Sequence, residues 1–202
     1  GQVPSITIVA PLDGAMLGLA DDLGGDADLQ QDLVIQTNAE AGNPVSIVID
    51  GGAPLAEVVP AGGELIVPVT IPEGPAVVIE ASVTNNFGNS NSDTITVLVD
   101  LDPPQAIVDL NAVVEADRPS EIRLTWSAPL DGDVIDYEIR FANAPITEAT
   151  FDSAEVWNFV GAPAGPGGEE QLLLTGLDTG LTTYFAVKSV DHVGNLSPLS
   201  NV

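Results

Sequence analysis

Residues 183 to 190 alternate strictly, with Thr183, Phe185, Val187 and Ser189 on one side and Tyr184, Ala186, Lys188 and Val190 on the other. A period of two is the side-chain period of a β-strand. The alternation stops at Asp191-His192-Val193-Gly194-Asn195, where Gly and Asn accept a left-handed backbone cheaply, and the chain resumes at Leu196. A strand, a Gly-Asn turn and a returning strand make a hairpin. The same device stands 106 residues earlier, from Gly194 back to Gly88, as Asn85-Asn86-Phe87-Gly88-Asn89 between two strand-like runs. A hairpin repeated at that interval in 202 residues predicts two β domains, each long enough to bury a core of its own.

The rest of the chain agrees with that period. Ser5–Val9 predicts a strand with Ile6 and Ile8 on one face, and further strand signals follow at 33–37, 45–49, 55–59, 65–71, 76–84 and 94–99. Gly51-Gly52, Gly62-Gly63 and Pro72-Glu73-Gly74-Pro75 separate them, which is the spacing of an antiparallel all-β sandwich. Between Leu12 and Asp32 no strand period is visible, and this stretch predicts an extended loop rich in Gly and Asp. The predicted boundary lies at Val99-Asp100-Leu101-Asp102-Pro103-Pro104, giving domains 1–102 and 103–202. Its two prolines fix backbone torsions and predict a short, stiff joint.

Several of these pieces resemble known families. The run YFAVKSVDHVGNLSPLSN resembles the end of the F strand and the start of the G strand of fibronectin type III domains in bacterial secreted proteins. Glu121-Ile122-Arg123-Leu124-Thr125-Trp126 resembles their B strand, with Trp126 as a core residue, and Val134–Phe141 resembles strand C. Val156–Val160 then fits C′, and Leu172-Leu173-Leu174 with Gly176-Leu177 fits E and the turn into F. The family places a Tyr six residues after that Leu, whereas here Thr183 stands there and Tyr184 follows on the opposite strand face. The first half resembles a bacterial immunoglobulin-like domain through VVIEASVTNNFGNSNSDTITVLVD. The resemblance implies two consecutive antiparallel β-sandwiches and an extracellular or cell-surface setting. It names a scaffold, and a scaffold hosts many functions.

Charge narrows the partners. Thirty Asp and Glu oppose four Lys and Arg, a net of −26. Residues 1–102 carry fifteen acids with no Lys or Arg, and the rest carry fifteen against Arg118, Arg123, Arg140 and Lys188, or −15 and −11. Such a field repels phosphate backbones and anionic lipid, so no nucleic acid and no direct membrane insertion are expected. It also suits a salty environment that screens self-repulsion. His192 is the only histidine and cysteine is absent, so no nucleophile–base set or two-histidine metal site can be assembled, and no enzyme is expected.

The acidic loop is the candidate site for a cation, because Ca²⁺ takes six to eight oxygens from carboxylates and carbonyls. It fails as an EF-hand, since a window opened at Asp21 puts Asp26 where Gly is required. Calcium held by Asp21, Asp22, Asp26 and Asp28, or by Asp100 and Asp102 at the joint, is set against solvated charges on a surface loop. If calcium binds there, a chelator at low salt lowers the melting temperature by mass action. Trp126 and Trp157 are read as core residues in preference to a ligand platform.

The leading expectation is therefore a structural or adhesive module that works with copies of itself or with neighbouring β-sandwich domains, and a surface filament is its sharpest form. Accessory domains of a larger secreted hydrolase are the alternative. With Pro198 unable to donate, Leu196–Val202 is expected to cover the strand over 182–190 only in part, leaving an edge open to strand addition. In that form Gly1–Ser5 of one copy packs at the Val202 end of the next.

Overall fold

The structure is a computed structural model that describes residues 1–25 and 28–202. It divides into two compact units, Gly1–Leu101 and Asp102–Val202. Unit 1 contains β1 (Ile6–Ala10), β2 (Met16–Leu17), β3 (Leu29–Thr37), β4 (Pro44–Ile49), β5 (Leu55–Val58), β6 (Glu64–Ile71), β7 (Gly74–Thr84) and β8 (Ser90–Val99). Unit 2 contains β9 (Asn111–Glu115), β10 (Arg118–Ser127), β11 (Val134–Ala142), β12 (Glu155–Asn158), β13 (Glu169–Thr175) and β14 (Tyr184–Asp191). Each unit is a two-sheet sandwich, as the sequence predicts, and among the described residues no helix is long and apolar enough to cross a membrane.

In unit 1 one sheet runs β1-β3-β6 and the other β2-β8-β7-β4-β5, antiparallel throughout except for the β2–β8 pair. Strand β6 shows why: Leu65, Val67, Val69 and Ile71 are buried while Glu64, Ile66, Pro68 and Thr70 face solvent. Its register sets Val67 opposite Leu33 and Leu65 opposite Ile35, so the apolar faces of both strands point the same way. Val77, Ile79, Ala81 and Val83 of β7 meet them from the facing sheet.

The loop before β3 is shorter than its composition predicts. Gln30, Gln31 and Asp32 read as loop, yet they are strand residues paired with Thr70, Val69 and Pro68. The reason is Leu29, fully buried on the same face as Leu33, which pulls the polar residues between them into the ladder. Residues 16–17 likewise form a short strand on β8.

Unit 2 has sheets β13-β10-β9 and β12-β11-β14. Its core is aromatic: Trp126 meets Tyr137 edge-on at 5.1 Å, Phe159 meets Tyr137 at 5.1 Å, and Trp157 packs against Phe141. Both tryptophans are thus packing residues, as expected. Tyr184 does lie on the face opposite Phe185 and Val187. There it joins a second cluster with Ile146, Phe151 and Ala186, capped by Arg140 and Lys188 over the Phe151 ring at 5.4 and 5.0 Å.

The Tyr137 hydroxyl donates to Glu170 Oε1 at 3.1 Å inside this core. Burial, and then the neighbouring Glu170 charge, push the phenol far above its ordinary range. Below about pH 10 the phenol holds its proton folded or unfolded, and its contribution is complete. Above that pH the unfolded chain releases the proton and the folded chain keeps it, so stability falls as pH rises. The melting temperature of Tyr137→Phe is expected to decline less steeply than wild type above about pH 10; equal slopes would assign the alkaline loss to other groups.

The last segment covers part of the β14 edge, by a means the sequence does not predict. The outer edge of β14 is covered between Val187 and Asp191 by a segment that is not a regular strand. Only Leu196 forms a bridge, to Val190. Beyond it Ser197 N–H donates to the Ser189 carbonyl and Ser200 N–H to the Val187 carbonyl. In return Ser189 N–H donates to Ser197 Oγ at 2.9 Å and Val187 N–H to Ser200 Oγ at 3.0 Å. Two buried hydroxyls thus supply the acceptors that a proline-interrupted ladder lacks. Asn201 then ties the segment to Leu110, its amide both donating and accepting at 2.8 Å.

Candidate functional site

Asp21 closes a 3-10 turn over Leu19–Asp21 and accepts from Gly18 N–H, while its carbonyl accepts from Gln31 Nε2. Asp22 accepts three backbone N–H groups: Gly24 at 3.1 Å, Gly25 at 2.6 Å and Gln30 at 2.8 Å. Charge-assisted bonds of this kind organise a turn strongly. Asp28 is exposed just before β3, and Asp26 lies outside the described residues. Asp100, at the end of unit 1, donates its N–H to the Leu17 carbonyl, and Asp102 opens unit 2.

The same use of carboxylates recurs through the chain. Asp13 accepts from Thr96 N–H at 2.8 Å, and Asp93 from Ile8 N–H at 2.8 Å, which ties β1 to the opposite sheet. Asp109 accepts both the N–H and the hydroxyl of Ser127, which holds its carboxyl below the usual range. With four basic residues in the chain, backbone amides are the donors at hand. His192 Nδ1 lies 3.5 Å from the Asp133 carboxylate beside the second turn, and Asp131 accepts from Gln105 N–H.

The two repeated turns are built alike. Asn85 N–H donates to the Asn89 carbonyl, Gly88 N–H donates back to the Asn85 carbonyl, and Asn85 Oδ1 accepts from Phe87 and Asn89 N–H at 3.0 Å each. Asp191 repeats every bond with Asn195, Gly194 and Val193, at 2.9 Å for both side-chain contacts. Gly88 and Gly194 have φ of 80° and 93°, the left-handed region the turn requires.

In unit 1 this turn borders a cavity of about 160 Å³ that the sequence did not announce. Asn38, Glu40 and Asn43 line it from the β3–β4 loop, and Asn85, Asn86 and Phe87 from the β7–β8 turn, with residues 2–4 closing one side. Phe87 is 75% exposed, its ring lying against Gly1, where a Cβ would stand 2.4 Å from Cδ2. Asn86 Nδ2 donates to Glu40 Oε2 at 3.3 Å, and Asn38 Oδ1 accepts from Ser5 N–H at 2.7 Å. Asn43 is 1% exposed, and its Oδ1 is buried without a hydrogen-bond partner among the described residues. These amides are distant in sequence and carry no motif, so only the fold gathers them.

No family model matches the sequence, and no curated protein matches it. Among solved structures, the chain is similar to the FN1-FN3 domains of chicken CNTN1, at 17% identity and TM-score 0.54. That match covers 94% of this chain and 63% of that one, so the chain spans less than two thirds of the CNTN1 structure. It is also similar to the fibronectin(III)-like modules of Clostridium thermocellum CbhA, at 15% identity and TM-score 0.53, covering 96% of this chain and 90% of that one. At such identities the likeness is one of fold. Hydrogen bonding and comparison agree on the fold, a tandem of antiparallel β-sandwiches similar to fibronectin(III)-like domains.

Proposed function

We propose that the chain is a non-enzymatic extracellular module with a structural or adhesive role, acting as the repeating subunit of a surface filament. The observation that carries this reading is the succession of two sandwiches, each closed around its own core. Self-contained units in series are suited to spanning distance, and their polar side chains are used to brace turns and edges. The net charge of −26 fits a surface bathed in salt and keeps copies apart except where a specific contact forms. That contact joins the Gly1–Ser5 end of one copy to the Val202 end of the next, a heterologous arrangement that propagates. A second reading, accessory modules within a larger secreted hydrolase, is favoured by the fold shared with the CbhA modules.

Electron microscopy of the native material, with sedimentation of the purified chain, separates them. Filaments that disappear when residues 1–5 are deleted are expected. A protein that sediments as a monomer at high concentration, with or without that segment, ends the filament reading. A catalytic domain in the same polypeptide would establish the second.

A further inference from the structure

We propose that the cavity between the β3–β4 loop and the β7–β8 turn binds one ring of a neutral saccharide. Its size sets the first limit. At about 160 Å³ it is far larger than the roughly 10–15 Å³ that a single water needs, and well short of the roughly 300 Å³ at which sites for drug-sized ligands begin. One sugar ring suits that space and an extended ligand does not.

The chemistry of the lining sets the second. Four of its side chains are asparagine amides; Asn85 is engaged by its own turn and by the Gln2 carbonyl, which leaves Asn38, Asn43 and Asn86 to offer a ring of hydroxyls both donors and acceptors. The Asn38 bond to Ser5 uses its carbonyl oxygen and leaves the Nδ2 hydrogens out of that bond. The Asn43 Oδ1 is a buried acceptor without a donor among the described residues, an arrangement that costs stability until a hydroxyl supplies one. Residues 1–102 contain no Lys or Arg, so no basic side chain offers an anionic ligand a counter-charge. Glu40 is the one acid in the lining, too few carboxylates for a hard divalent cation and well placed to accept from a hydroxyl. Phe87 adds an exposed apolar surface at the rim, on which the C–H face of a sugar ring can rest. Donors, acceptors and an aromatic surface together fit an uncharged polyhydroxyl ring. The cavity shares residues 2–4 with the end proposed to join copies, so binding is tested on the monomer, where either reading can fail without the other.

The test uses the isotope-labelled full chain at dilute, monomeric concentration. It is titrated separately with the methyl glycosides of glucose, galactose, mannose and N-acetylglucosamine, and followed by the side-chain amide signals of Asn38, Asn43 and Asn86. At least one glycoside is expected to give saturable shifts confined to these residues and their neighbours, with a Kd on the order of a millimolar. Phe87→Ala, an exposed position whose change leaves the core intact, is expected to weaken binding about tenfold with an unchanged spectrum elsewhere. Glu40→Gln retains the side-chain shape and reports the carboxylate separately. No saturable shift with any of the four glycosides overturns the proposal. So do shifts that glycerol reproduces at equal hydroxyl concentration, or binding that Phe87→Ala leaves unchanged.

Discussion

Replacing Asp191 with alanine is expected to destabilise unit 2 by about 3 kcal/mol, because three donors lose their acceptor at one fully buried site. They are the N–H groups of Val193 and Asn195, each at 2.9 Å, and Asn195 Nδ2 at 2.8 Å. For a unit of about a hundred residues this lowers the melting temperature by roughly 12–20 °C. Asp191→Asn is expected to cost less than half as much. Asn85 holds the corresponding turn of unit 1 with an amide oxygen, so only the bond from Asn195 Nδ2 is lost. Both tryptophans lie in unit 2, so their fluorescence during urea unfolding reports this unit. Equal midpoints for Asp191→Ala and wild type would show that the turn is held by its backbone alone.

The second large effect is expected at the covered edge of β14. In the double variant Ser197→Ala with Ser200→Ala, the N–H groups of Ser189 and Val187 lose their hydroxyl acceptors in a dry environment. Each loss costs about 1–2 kcal/mol, and the hydroxyl bonds to the carbonyls of Pro198 and Asn201 go with them. Hydrogen exchange should register this first: the Val187 and Ser189 amides are expected to exchange by local opening, while Ile139 in the neighbouring strand keeps its protection. An exposed edge also invites pairing between copies, so the double variant is expected to aggregate as it warms. Threonine at both positions should restore protection, since its hydroxyl can occupy the same place. Unchanged exchange at Val187 and Ser189 would remove the hydroxyls from the account.

What could be read from the sequence follows from how local each signal is. The paired turns were legible because their chemistry lies within five residues, Asn85 to Asn89 and Asp191 to Asn195, and the structure repeats the bonds one for one. Trp126 was legible through the resemblance of Glu121–Trp126 to a fibronectin type III B strand, in which the Trp is a core residue. The start of β3 was missed because Gln30, Gln31 and Asp32 are polar, and what recruits them is the burial of Leu29 opposite Ile71, far along the chain. Phe151 stands alone in a polar stretch, and its burial depends on a loop folding onto the outer face of β14. The open edge was inferred from Pro198, which does interrupt the ladder. Ser197 and Ser200 flank the proline, and nothing in their spacing shows that their hydroxyls turn inward. The asparagine cavity needs three loops at once, which no window along the chain contains.

The scarcity of basic residues bears on how this molecule meets proteases. Proteases that cut after Lys or Arg find no substrate bond anywhere in residues 1–102. In unit 2 the most exposed basic side chain is that of Arg118, at 53%, and it is followed by Pro119, a bond such enzymes cleave poorly. Arg123, Arg140 and Lys188 sit within paired strands, Lys188 held to Glu148 at 2.6 Å and laid over the Phe151 ring. A chain whose turns are braced by Asp against backbone N–H groups has little need of lysine and arginine, and so leaves trypsin-like enzymes no ready point of attack while it stays folded.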